Sequence, residues 1–274
     1  MSAERSEQLR GRATSLLLRA LDAFAFSSAL VACAAALLAA AAARALGLAL
    51  SPSVVALAFC GTVAIYCVDR VRDLARDAGS SPLRSAFVAA HRNALQLAAA
   101  LGAAGALVAG AFAGVRALVL AVGVAALGLA HRRLKRFAWA KPLYLTGSWT
   151  AVCVGLPALA AASESAALDL TRLALVAAII GGAVQANMIL SNLRDAEGLA
   201  AHFGARRARS VAGVFCAGAF GLALLGAPAL RALATLPLVM GAAVAAYRPG
   251  ERYGAWIADG ALLAGAALAL FIAR

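Results

Sequence analysis

Charge is scarce in this chain. Asp, Glu, Lys and Arg make up only 14% of its 274 residues, against about a quarter in an ordinary soluble domain. Aromatic residues are also few, at 6%, and they do not alternate with β-branched residues, which argues against a β-barrel. Its five cysteines (Cys33, Cys60, Cys67, Cys153, Cys216) show no CxxC spacing and lie in or beside apolar runs. They read as small core hydrophobes rather than metal or redox ligands. No basic domain is present to offer a duplex, so the net charge of +13 does not point to nucleic acid. Anionic lipid headgroups or a phosphorylated substrate are the better partners for it.

Apolar residues are abundant, at 64%. One soluble core of this size cannot hide that much apolar surface. At about 20 residues per crossing, the chain has material for eight or nine membrane spans. Apolar runs fall near 20–43, 53–68, 86–112, 115–130, 142–162, 170–192, 208–227, 229–246 and 254–273. The spacing predicts one integral membrane domain, 1–274, an all-α bundle of nine transmembrane helices. The first run has the basic flank of a signal peptide in Arg5, Arg10, Arg12 and Arg19. With eight further runs behind it, a retained first helix is the simpler reading. Abundant Ala and Gly predict close helix packing.

Basic residues divide sharply between the two sides. One side collects the four N-terminal arginines, Arg70 to Arg92, Arg132 to Lys141, Arg194 to Arg209, and Arg248 with Arg252. The other holds Arg44, Arg116, Arg172, Arg231 and Arg274, so the split is twenty against five. By the positive-inside rule this predicts nine spans in a bacterial-type cytoplasmic membrane, with the N-terminus in the cytoplasm and the C-terminus outside. His91, His131 and His202 all lie on the basic side, so any chemistry is expected there.

The second run ends in Asp69, Asp73 and Asp77, spaced i, i+4, i+8 and hence on one helical face. Like charges there need a cation between them. Magnesium is a natural guest, because it takes hard carboxylate oxygens and shares its shell with phosphate. A helix-end ladder with Arg72 and Arg76 satisfies the same spacing. The sixth run carries Gln185, Asn187, Ser191 and Asn192 ahead of Arg194, Asp195 and Glu197. Polar groups inside an apolar helix are costly and face a bundle interior or a wet cavity. They suit a polar stripe leading to an acid, or a hydrogen-bond seam between helices. The loop after the fourth run, His131 to Pro142, is rich in cations. It fits either an anchor at the membrane surface or a clamp on a diphosphate.

In these residues the chain resembles the UbiA superfamily of intramembrane prenyltransferases, which has nine helices and two Asp-rich motifs, on the second and sixth. The first motif, N-D-x-x-D-x-x-x-D, corresponds to Ile65 through Asp73, with Ile65 and Tyr66 in place of the leading Asn-Asp. The second, D-x-R-D-x-E-G-D, corresponds to Asn192 through Leu199, with Asn192 and Leu199 replacing the outer acids. A Tyr-x-x-x-Lys-Arg stretch resembles His131 through Arg136, and Trp149 and Pro157 are similar to the family's fifth helix.

The resemblance implies transfer of a polyprenyl group from an allylic diphosphate to an aromatic or other lipophilic acceptor. It implies magnesium on Asp69, Asp73 and Asp195, with Glu197 and Asn192 as further candidates. It also implies a diphosphate held by Arg70, Arg194, Lys135, Arg136 and Asn192, of which Lys135 and Arg136 are the catalytic cations. The departures from the motifs favour an alternative, a non-catalytic homologue that binds lipid or serves in assembly. A transporter would carry its polar residues nearer the midplane, on broken helices.

Overall fold

The computed structural model describes residues 16–130, 140–162, 169–194 and 199–273, and every regular element among them is a helix. Among the described residues, eight helices are long and apolar enough to cross a membrane. In chain order, α1 (16–26) breaks at Ser27-Ser28 and leads into α2 (Ala29–Leu46). Then come α3 (Pro52–Asp77), the short α4 (Pro82–Ala90), α5 (Arg92–Ala113) and α6 (Val115–Leu129). Helix α7 covers 140–162, with a π-helical turn at Ala151–Gly155. After it come α8 (Leu170–Arg194), α9 (Leu199–Leu225), α10 (Pro228–Ala245) and α11 (Tyr253–Ile272).

Eight of the nine expected spans reach full membrane-crossing length among the described residues. The fourth apolar run forms α6, a helix of 15 residues. At 1.5 Å per residue it is about 22 Å long, short of the ~30 Å hydrocarbon slab. The first and third expected spans are also divided. Ser28 takes a left-handed backbone (φ 74°) and splits α1 from α2, while His91 separates α4 from α5. Reading each run as one span passes over the polar Ser27-Ser28 and His91-Arg92-Asn93 that mark these breaks.

Helix α2 holds the centre of the bundle. Its sequence is nearly all Ala and Leu, so neighbours approach from several sides: α3, α7, α8 and α11 all pack on it. Leu38, Ala39 and Ala42 have no exposed surface. Close approach recurs elsewhere. At Gly102 of α5 an added Cβ would stand 2.9 Å from the Cys60 carbonyl oxygen of α3. Small residues of this kind allow tight packing where lipid gives helices little hydrophobic reason to associate.

Loop contacts sort the molecule into two ends. At one, Arg252 of the α10–α11 loop pairs with Asp22 of α1 at 2.9 Å. There Glu251 caps α4 by accepting the backbone N–H groups of Leu83 (2.9 Å) and Arg84 (2.5 Å). Asp22 also holds the exposed Arg252 guanidinium above its ordinary pKa. At the other end, Arg172 donates to the Ala45 carbonyl at 2.6 Å and Arg116 to that of Ala162 at 3.3 Å.

Candidate functional site

Helix α3 is 26 residues long, about 39 Å, so it outruns the hydrocarbon slab and carries its acids past the apolar segment. One face of it presents Leu57, Ala58, Gly61, Thr62, Ile65, Tyr66 and Asp69 to a cavity of about 230 Å3. The intervals of three and four residues are those of a single helical stripe. Helix α7 supplies the facing wall through Tyr144, Leu145, Ser148, Trp149, Val152 and Leu156. Ala121, Val124, Ala125 and Gly128 of α6 and Ala35 of α2 complete it. The lining is mostly apolar, with Thr62, Ser148, Tyr66, Tyr144 and Asp69 as its oxygen-bearing side chains. Small residues make the room: nothing lies within 4 Å of a Cβ built on Gly61.

A layer of polar contacts ties the helices around this cavity. Trp149 Nε1 donates to the Tyr66 hydroxyl at 3.0 Å, and the two rings meet edge to face with centroids 6.3 Å apart. One turn earlier on α7, Thr146 donates to Gln185 of α8 at 2.6 Å. Asn187, fully buried on α8, donates to Asp259 of α11 at 3.3 Å. Asp259 in turn lies within electrostatic range of Tyr66 and Arg70 on α3. Helices α3, α7, α8 and α11 are thus connected by polar side chains inside an apolar bundle. Two π-helical turns flank the layer, Ala151–Gly155 after Trp149 and Tyr253–Ala258 before Asp259. Such turns cluster at functional sites.

The three acids of α3 share a helix but not an environment. Asp69 lines the cavity. Asp73, 1% exposed, is bound by Arg76. Asp77 pairs with Arg84 at 2.9 Å and with Arg76 Nε at 3.5 Å. Arg76 thus bridges the last two acids, and Arg72 donates to the Leu129 carbonyl at 3.3 Å. Arg70 points away from the cavity wall and donates to the Phe26 carbonyl at 2.6 Å. That carbonyl ends α1, so the break before Ser28 provides the acceptor.

On α8, Gln185 and Asn187 serve the interhelix seam, and Asn192 is buried at 8% exposure. Arg194 closes the helix. Lys135, Arg136, Asp195 and Glu197 lie outside the described residues, as does the Arg194 side chain. Leu199 packs against the apolar core. Among the described residues no three His, Cys, Asp or Glu side chains gather as a metal site would require. Asp69 is the only carboxylate among those lining the cavity, so the described residues do not complete a magnesium shell by themselves.

Sequence reasoning passed over Asp259. Its signal was present: a lone carboxylate one turn into an apolar run, which in a membrane helix marks a functional or paired position. Compared with protein-family models, curated proteins and solved structures, the chain finds no match in any of the three.

Proposed function

We propose that this chain is a divergent intramembrane prenyltransferase of the UbiA type, built on nine membrane helices with α6 as a short fourth. In this reading it moves a prenyl group from an allylic diphosphate to a lipophilic acceptor. One observation carries the reading: an apolar cavity runs along α3 and ends at Asp69, the first acid of the i, i+4, i+8 repeat. An apolar channel with a charged end suits an amphiphile whose tail is hydrocarbon and whose head is polar.

In this reading the diphosphate lies at the Asp69 end, between α3 and the end of α8. Arg194, Lys135, Arg136 and Asn192 are its contacts, and Arg70 would join them on leaving the Phe26 carbonyl. Magnesium held by Asp69, Asp73, Asp195 and Glu197 would supply positive charge to the leaving group. Recruiting Asp73 requires Arg76 to let it go. The chain's own walls do the rest. Apolar side chains on α3, α6 and α7 keep water from an allylic cation, and the rings of Tyr66 and Trp149 offer it π faces.

A second reading has a specific observation behind it. Asp73 is tied to Arg76 and no three-ligand group forms among the described residues. That arrangement suits a lipid-binding homologue without catalysis.

Pyrophosphate release from labelled prenyl diphosphates, measured on nanodisc-embedded protein with and without magnesium, separates the two. The transferase reading expects magnesium-dependent release that Asp69→Asn lowers at least a hundredfold. Binding without release under every donor and acceptor supplied would leave the lipid-binding reading standing.

A further inference from the structure

We infer that α9 and the α10–α11 loop form a binding site for one anionic phospholipid, its phosphate on Arg206, Arg209 and Arg248 and an acyl chain along the small-residue side of α9. Such a site is independent of prenyl transfer. Helix α9 bends at Gly204 (φ 79°, ψ 156°), and soon after the bend come Arg206, Arg207 and Arg209, all exposed. Arg248, also exposed, lies in the α10–α11 loop. Tyr253 of α11 is within electrostatic range of both Arg209 and Arg248, so two elements bring their cations to one side chain. Tyr253 donates to the Ala243 carbonyl and meets Tyr247 edge to face, with centroids 5.5 Å apart. Tyrosine is enriched at the headgroup level of membrane proteins.

The positive charge there has no answer within the chain. At the same end Arg76, Arg84 and Arg252 each have a carboxylate partner. Among the described residues none of Arg206, Arg207, Arg209 and Arg248 does. Helix α9 itself contains no Asp or Glu. Guanidinium groups without an acid suit phosphate, which an arginine fork takes by two parallel hydrogen bonds.

Below the arginines α9 offers a track for a chain. Ser210, Gly213, Ala217 and Gly221 follow Arg206 at intervals of four, three, four and four residues, and each is exposed or half-buried. That spacing puts them on one side of the helix. A Cβ built on Gly213 or Gly221 meets nothing within 4 Å, so no described helix covers them there. The bulkier Val214, 70% exposed, and Phe220 stand at the two edges. From Ser210 to Gly221 the helix advances about 16 Å, the depth of one leaflet of a ~30 Å slab. A second copy of the chain could also pack on small residues spaced by four. Its own α9 would bring the same arginines and no acid. A phospholipid supplies both the apolar chain and the missing negative charge, as basic pockets at helix ends take anionic headgroups.

The test is native mass spectrometry of the full chain, stripped of lipid in detergent and titrated with phosphatidylglycerol or phosphatidylcholine of identical acyl chains. The first phosphatidylglycerol should bind roughly tenfold or more tightly than phosphatidylcholine. Arg206→Gln combined with Arg209→Gln should reduce that preference to less than threefold. Arg19→Gln combined with Arg92→Gln removes equal charge from exposed arginines of the same end and should change the preference less than twofold. Ala217→Leu should weaken phosphatidylglycerol at least fivefold. Gly221→Leu, further along the same side, covers the case in which Ala217→Leu does not fold. Equal affinity for the two lipids, equal loss in the two arginine pairs, or unchanged affinity in the folded leucine variants overturns the inference. Displacement of the lipid by inorganic phosphate at equal concentration also overturns it, in favour of a free-phosphate site. A doubled mass that Ala217→Leu returns to that of one chain would give this side of α9 to a second copy instead.

Discussion

Asp259 is the costliest side chain in the polar layer. It sits in an apolar helix, takes the Asn187 amide, and lies in the field of Arg70. Removing it leaves the fully buried Asn187 donor without its acceptor, and a buried unsatisfied group costs about 1–3 kcal/mol. The Thr146–Gln185 bond joins neutral groups, and such interhelix bonds average about 0.6 kcal/mol in membrane proteins. Asp259→Ala should therefore destabilise the protein by about 2 kcal/mol, several times more than Thr146→Val. Unfolding in mixed micelles checks the order; equal costs would mean that Asp259 carries no such load. The contrast with the acids of α3 shows what residue spacing reveals. An i, i+4, i+8 repeat puts three carboxylates on one helix, yet each step turns about 40° at 3.6 residues per turn. Across two steps that is about 80°, enough for Asp69 to line a cavity while Asp77 meets Arg84. Position on a helix was legible in the sequence. The choice of partner was not, because it depends on Arg76, Arg84 and a neighbouring helix.

Helices were the most legible level, since each apolar run is helical in the structure, the first and third across two helices each. What the runs concealed were the interruptions at Ser28 and His91, which fall inside the first and third runs. The cavity was hidden for a related reason. Its walls are ordinary helix faces, and only the assembly of α3, α6 and α7 leaves a gap between them. Gly residues carry the information about fit. At Gly102 a Cβ would press on the Cys60 carbonyl from 2.9 Å, whereas at Gly213 of α9 it meets nothing within 4 Å. Gly102→Ala should then cost about 1–3 kcal/mol by overpacking. Gly213→Ala should instead stabilise by roughly 0.5–1 kcal/mol through the entropy of the unfolded chain. Paired unfolding curves in detergent read both signs. A neutral Gly102→Ala would mean that α3 and α5 separate freely.

At the scale of the molecule, the two ends are chemically unlike. The end where Asp22, Asp77, Arg84, Glu251 and Arg252 meet is a network of charges spanning α1, α3, α4 and the α10–α11 loop. The opposite end uses single arginines, Arg116 and Arg172, each donating to a backbone carbonyl. This segregation matches the alternation of basic residues along the chain, which the fold need not have respected. We propose that the charged network and the Asp69 mouth of the cavity face the cytoplasm, where basic flanks are retained during insertion. Exposed Ser80, after α3, and exposed Leu50, before it, report the two faces. In a background lacking the natural cysteines, a membrane-impermeant maleimide applied to intact cells should label Leu50→Cys and spare Ser80→Cys until the membrane is opened. Labelling of Ser80→Cys alone would invert the molecule and put the mouth of the cavity outside. Labelling of both would mean that α3 does not cross the membrane, and the amphiphile site built along it would lose its basis.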